Sequence, residues 1–218
     1  MRYAVLGTGI VGRTLASRLV ELGHDVRMGA RSKDNPAAME WAQGAGPRAS
    51  VGTFADAAEF GERVVEAVGG HVALEALRAA GAEHLDGKVV VDTSNKLEQF
   101  EGGMRLASLD DIGSVGEQLQ KAFPRARVVK TLNTLTSSLM VDPAALPGAH
   151  QLFLSGDDAG AKEEVRGMLG EFGWAPERII DLGGIETARG VEFLMPLWLN
   201  LYGNKGHAHF NWHIQTGD

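Results

Sequence analysis

The sequence predicts an α/β protein: a doubly wound, mostly parallel sheet with a short C-terminal helical extension. Three observations carry that prediction. An apolar strand at the start of the chain runs straight into Gly7-Thr8-Gly9-Ile10-Val11-Gly12. Strand-like and helix-like patterns then alternate with short connections as far as about residue 182, which is how a parallel sheet with crossover helices reads. From Glu186 onward the apolar periodicity turns helical.

The first element is the strand Met1-Arg2-Tyr3-Ala4-Val5-Leu6. In the loop after it, glycine is required three times: Gly7 for the tight strand-to-helix turn, Gly9 for close approach to a pyrophosphate, and Gly12 for close packing of helix on strand. The N–H groups of Thr8, Gly9, Ile10, Val11 and Gly12 open the following helix and point at the phosphates, with the helix dipole assisting. That helix buries Leu15, Leu19 and Leu22 and ends at Gly23. This context makes the loop a Rossmann-type dinucleotide site.

The second strand, Asp25-Val26-Arg27-Met28, leads into Gly29-Ala30-Arg31-Ser32-Lys33. Units that prefer NAD place an acid here to hold the ribose 2′-hydroxyl. Arg31, Ser32 and Lys33 offer a guanidinium fork, a hydroxyl and an ammonium instead, which suit a 2′-phosphate, so NADP is the expected cofactor.

Further along come a helix over about 35–43, a short strand near 49–51, a helix near 54–60 and a fourth strand over 63–68. Gly69-Gly70 and a helix to Ala80 follow, and then a fifth strand over 88–93, apolar as a central parallel strand should be. The segment 95–111 is less regular, and the stretch from Leu97 to Ser108 within it has no evident role. A helix over 115–123 precedes the sixth strand, 127–132. Two more strands, 151–154 and 178–182, flank a helix over 159–172. No repeat, low-complexity tract or linker rich in Pro, Gly or Ser divides the chain. The expected organisation is a nucleotide-binding domain over 1–184 and a helical extension over 185–218.

Ligands of such sheets lie outside the carboxyl ends of the strands. That rule nominates Ala67, Val68 and Gly69 after the fourth strand, Asn95 after the fifth, and Asn133, Leu135 and Ser137 after the sixth. Contact with the cofactor and capping of the following helices are both open readings of these polar residues.

Composition sets outer limits. The 218 residues can bury one good core, and a net charge of −7 argues against nucleic acid as a partner. With no cysteine there is neither thiol chemistry nor a disulfide framework, and redox work falls to bound cofactors. Residues 1–6 read as a sheet strand and the apolar stretch 193–199 is too short to span a bilayer, so a cytoplasmic, membrane-free protein is expected. His207, His209 and His213 form a cluster in which the last two could share a helical face. Without a third ligand or a metalloprotease context no metal site is expected.

Laid out in this way, the chain resembles the NADPH-dependent reductases of coenzyme F420, the 8-hydroxy-5-deazaflavin. The likeness rests on 4–12, on Gly29-Ala30-Arg31, on Leu85-Asp86-Gly87-Lys88, on 116–120 with Phe123-Pro124, on Val128-Val129-Lys130-Thr131-Leu132-Asn133-Thr134, and on Met195-Pro196-Leu197-Trp198-Leu199. It implies that Arg31 and Ser32 bind the 2′-phosphate and that Asn133 to Ser137, Met195 and Trp198 form the acceptor side. The chain has Asn95-Lys96 where relatives often have Asn-Pro, and Ala30 where they have a hydroxyl residue.

Hydride transfer between two rings held in contact needs no nucleophile, so no catalytic side chain is expected. The acceptor is then a small redox molecule, a deazaflavin or a similar flavin-like ring. Two alternatives share the glycine loop: an NADP-dependent 3-hydroxyacid dehydrogenase or imine reductase, which normally has a larger helical C-terminal domain, and a non-enzymatic NADP-binding sensor. Residues 191–201 are apolar around much of the helix, which predicts a homodimer that covers them.

Overall fold

The computed structural model describes residues 1–101, 103–107 and 113–217. In chain order the elements are β1 (Arg2–Leu6), α1 (Ile10–Glu21), β2 (Asp25–Ala30), α2 (Pro36–Ala45), β3 (Ala49–Thr53), α3 (Phe54–Phe60), β4 (Arg63–Glu66), α4 (Ala73–Ala80), α5 (Ala82–Leu85) and β5 (Val89–Asp92). They continue with β6 (Leu97–Phe100), β7 (Gly103–Leu106), α6 (Val115–Ala122), β8 (Arg127–Thr131), α7 (Ser137–Val141), β9 (Leu152–Ser155), α8 (Ala159–Glu171), β10 (Ile179–Gly183), α9 (Ala188–Phe193) and α10 (Met195–Lys205).

Eight strands form one sheet in the order β10-β9-β8-β5-β4-β1-β2-β3. All neighbours are parallel except β8 and β9, which pair antiparallel over a short stretch. Numbering only the strands of this sheet along the chain, β3, β2, β1, β4, β5 and β8 take the order 3-2-1-4-5-6, which places a crevice at the switch between β1 and β4. The mostly parallel, doubly wound sheet predicted from the sequence is therefore the observed one.

Period-two alternation sends the strand residues to two apolar layers. Val5, Met28, Val65, Val91 and Val129 face one layer with Leu15 and Leu19 of α1 and Val165 and Leu169 of α8. Ala4, Leu6, Val64, Val90 and Val128 face the other, with Ala57 of α3, Leu77 of α4 and Leu119 of α6. Local signals start the helices: Asn35 accepts from the Ala38 N–H with Pro36 next to it, and Thr53 and Asp56 form a reciprocal capping box.

Two expectations are corrected. Within the segment read as irregular, β6 and β7 pair as an antiparallel hairpin, Leu97 opposite Leu106 and Phe100 opposite Gly103. Most of its residues are exposed, so no buried face imposed an alternating pattern on the sequence. Ser108, at the end of the stretch without an evident role, lies outside the described residues, as do 109–111.

The helical reading from Glu186 onward also fails past α10. Gly206 adopts φ 70° and caps that helix in the left-handed conformation. The tail then runs back to the residue before β9, where the Gln151 N–H donates to the Trp212 carbonyl at 2.9 Å. His209 and His213 thus share no helical face. Their ring nitrogens lie 3.0 Å from the Ala145 carbonyl and 2.6 Å from the Ala149 carbonyl.

Candidate functional site

Each glycine of the first loop has its own steric reason. Gly7 sits at φ 126°, and a β-carbon there would lie 2.5 Å from the Ala67 carbonyl oxygen. A β-carbon on Gly12 would collide with the Gly7 carbonyl oxygen, so the helix seats directly on the turn. Gly9 differs, because nothing lies within 4 Å of the space its β-carbon would take. It is the N-cap of α1 and provides no side-chain cap, so the helix presents its first N–H groups outward, as an anion site requires. Arg13 steadies the loop from below by donating to the Thr8 carbonyl at 2.8 Å. Ile10, 68% exposed, projects beside the same opening, while Val11 is partly buried against the core.

A groove of about 780 Å³ runs from this loop, lined by Gly7, Thr8, Gly9, Arg31, Ala67, Val68 and Gly69 among others. It brings together the first and second sequence-predicted clusters and the tip of β4. Arg31 is exposed at its rim, opposite the head of α1. Ser32 is exposed, and its hydroxyl accepts from the Asp34 N–H at 3.2 Å, which shapes the turn. Lys33 is not among the residues that line the groove. Asn35, Thr53, Phe54 and His71 also line it. Sequence reasoning missed them because they were read as helix starts and loop residues.

The tips of β5 and β8 are laced to one another. Asn95 donates to the Asn133 carbonyl at 2.7 Å, and Asn133 donates to the Asn95 side-chain oxygen at 3.0 Å and to the Val191 carbonyl at 3.2 Å. Gly70 approaches so closely that a β-carbon on it would lie 2.8 Å from the Asn95 backbone. Leu132, just before Asn133, holds φ 64°, a left-handed strain of about 1–2 kcal/mol for a non-glycine residue. Both asparagine side chains are therefore committed to the protein. Leu135 is likewise a core side chain, 6% exposed, so its predicted cofactor contact could come only from its backbone. Ser137 is half-buried in the first turn of α7.

On the acceptor side the expectation is also refined. Met195 is buried, and Trp198 stacks on Tyr202 with ring centroids 5.6 Å apart and lies 5.3 Å from the Phe210 ring. Trp198 is a packing residue that holds α10 against the tail, and α10 in turn packs on the β7 strand of the hairpin.

Beneath the strand tips lies a cluster that the sequence analysis did not single out. Glu66, Asp92, Lys130 and Glu192 are all fully buried. The Lys130 ammonium donates to Asp92 at 3.0 Å, to Glu192 at 2.8 Å and to the Ser94 carbonyl at 2.6 Å. Burial pulls the Lys130 pKa down, but Asp92 and Glu192 outweigh that and hold it above the ordinary lysine value. Burial, reinforced by the Asp92 charge, pushes Glu66 well above the carboxylate range. The signal available in sequence was a charged residue at or next to the carboxyl end of each of three valine-rich strands.

A larger depression, about 1,060 Å³, lies elsewhere and is lined by Glu117, Lys121, Arg125, Arg127, Asp158 and Arg189. Arg189 grips Glu117 through two 2.6 Å bonds, and Arg127 pairs with Glu164. It shares no residue with the glycine loop. The groove at the switch point has the donors and the open backbone that a dinucleotide needs.

Fold and groove together define a dinucleotide-binding protein of the Rossmann type. Residues 2–96 match the family described as NADP oxidoreductase, coenzyme F420-dependent. A solved structure from Arthrobacter sp. FB24, provisionally named an F420-dependent NADP reductase, is 45% identical, with TM-score 0.88 over 98% of this chain and 99% of that one. The chain belongs to the F420-dependent NADP oxidoreductase family and is an NADP-dependent oxidoreductase. The F420-dependent NADP reductase of Methanothermobacter marburgensis is 28% identical over 92% of both chains. Metalloreductase STEAP3 of Rattus norvegicus is 30% identical over 90% of this chain, which spans only 38% of that relative's length. An imine reductase from Myxococcus stipitatus solved with NADP+ shares the fold at 17% identity and TM-score 0.67, and this chain covers 64% of it.

Proposed function

We propose that the protein transfers a hydride between NADP(H) and a deazaflavin of the coenzyme F420 type. The observation that carries the NADP half is the open space at Gly9, at the head of an uncapped helix, on the same groove as Arg31. A pyrophosphate fits the first position and a 2′-phosphate the second. The acceptor half rests on likeness to F420-dependent relatives over nearly the full length, the C-terminal helices included.

When bound, NADPH supplies the hydride. Among the residues proposed to bind it, Thr8 to Gly12 hold the pyrophosphate, while Arg31, with Ser32 and Lys33 nearby, takes the 2′-phosphate. Ala67 to Gly69 wall the groove, and the backbone at Asn95, Asn133, Leu135 and Ser137 frames the reacting ring. Met195 and Trp198 keep α10 in place as the far wall of the acceptor cleft. Proximity and exclusion of water would supply the catalysis. The same reading makes 1–184 the nucleotide-binding part and 185–218 the acceptor and dimer part of a cytoplasmic homodimer. No helix among the described residues is long and apolar enough to cross a membrane.

The test is NADPH oxidation followed by absorbance with the deazaflavin, a flavin or a ferric chelate offered separately. Rapid turnover with the deazaflavin alone is expected. Turnover with the ferric chelate alone would place the chain with the metalloreductase relative, and none with any acceptor would leave an NADP-binding sensor.

A further inference from the structure

The cluster beneath the strand tips holds three carboxyl groups and one ammonium, all fully buried. Counting donors shows that one of the carboxyl groups is left short. Lys130 spends its three N–H groups on Asp92, Glu192 and the Ser94 carbonyl. Glu192 also accepts from the Val115 N–H at 2.9 Å and the Gly116 N–H at 3.3 Å. Asp92 also accepts from the Ser94 N–H at 2.9 Å and the Ser94 hydroxyl at 2.7 Å. Among the described residues Glu66 receives only the Val68 N–H, at 2.8 Å on one oxygen, and its other oxygen is buried with no donor.

An ionised carboxylate in that position would be desolvated and without a cation bonded to it, a costly arrangement. Its register partner on the adjacent strand is Asp92, another carboxylate. The Lys130 ammonium offsets this only in small part, as the least of the effects on Glu66, because its N–H groups are spent elsewhere. The Leu6 partner on β1 is apolar. The charged residues of α4, Glu75 and Arg78, face solvent, and Glu117 of α6 is taken by Arg189 and Ser114. A proton between the two carboxyl groups resolves the shortage, because the orphan oxygen then donates to Asp92 and the cluster falls to one net negative charge.

We infer that Glu66 works as a neutral carboxylic acid, a positioning residue that donates its proton to Asp92 and so holds the tips of β4 and β5 in register. One oxygen fixes the Val68 N–H, in the segment that walls the groove and against which Gly7 is packed. The shared proton fixes Asp92, which orients Ser94 and the step into Asn95. The role of the tips in framing the cofactor rests on the proposed NADP site; the protonation of Glu66 does not.

Infrared spectra of the full-length protein at neutral pH read that proton directly. The carbonyl stretch of a protonated carboxylic acid is expected in wild type and lost in Glu66→Gln, whose amide mimics the neutral acid. No such band in wild type overturns the proposal. NADP affinity by calorimetry reads the positioning: Glu66→Ala is expected to weaken it roughly tenfold, and Glu66→Gln to restore it to within about threefold of wild type at pH 7. Wild-type affinity should fall at the alkaline end of the pH range and that of Glu66→Gln should not. If Glu66→Gln is as damaging as an alanine, Glu66 acts as a charge and the proposal fails. None of these readouts needs an acceptor, so loss of the deazaflavin reading would leave them intact, and if Glu66→Ala does not fold, the band and the Gln variant still decide.

Discussion

At the scale of single residues, the glycine loop separates fold from function. Gly12 touches the Gly7 carbonyl, whereas Gly9 faces empty space. Gly9→Val should therefore fold and melt much like wild type while losing NADP binding, whereas Gly12→Val should lower the melting temperature. Paired thermal melts and calorimetric titrations check this, and measurable NADP affinity in Gly9→Val would move the phosphate site elsewhere. Arg31 makes a second contrast. A charge-assisted contact is worth about 1.5–3 kcal/mol, so Arg31→Ala should weaken NADP roughly ten- to a hundredfold and leave NAD nearly untouched. Equal losses for both nucleotides would show that the guanidinium does not read the 2′-phosphate. The glycines and Arg31 were legible in sequence because their spacing from a strand end is fixed by the fold. The commitment of Asn95 and Asn133 to each other was not, since two loops 38 residues apart meet only once the sheet has formed.

At the scale of elements, strands and crossover helices were legible wherever a buried face imposed its period, from β1 to β5 and again from β8 to β10. The hairpin and the tail escaped because their side chains are mostly exposed and leave no period. The buried charges escaped for another reason: a lone Glu, Asp or Lys at a strand end is indistinguishable in sequence from one that turns to solvent. Their energetics are testable. Lys130→Met leaves Asp92 and Glu192 buried without their cation, which should cost about 3–5 kcal/mol in denaturant unfolding and loosen α9, the element that supplies Glu192. Glu66 sets a pH dependence of definite sign. Its folded pKa is raised, so the stability it confers is fully present below its unfolded value of about 4.5 and is lost as pH rises through the folded value. Wild type should lose stability relative to Glu66→Gln across that window, and a constant difference between the two would show that the group does not titrate there.

At the scale of the whole molecule, the C-terminal segment has two sides with different jobs. Its inner side belongs to the core: Ala188, Val191 and Met195 are buried, and Glu192 is bound to Lys130. Truncation after Ile185 would remove all four and strip Lys130 of a partner, so it tests folding more than assembly. The outer side is the informative one. Phe193 is 53% exposed and Leu197 48%, on helices beside a hairpin that exposes Phe100 and Met104. So much exposed apolar surface fits the proposed contact with a second copy, and a stable interface needs about 800 Å² from each partner. Phe193→Glu with Leu197→Glu changes only exposed positions, so the double variant should keep the wild-type melting behaviour while its sedimentation shifts from dimer to monomer. NADPH oxidation should fall with the dimer if the acceptor cleft borrows its wall from the assembly, while NADP affinity stays as it was. A full-length protein that sediments as a monomer at tens of micromolar would remove the dimer, and the exposed face of α10 would then belong to the acceptor cleft alone.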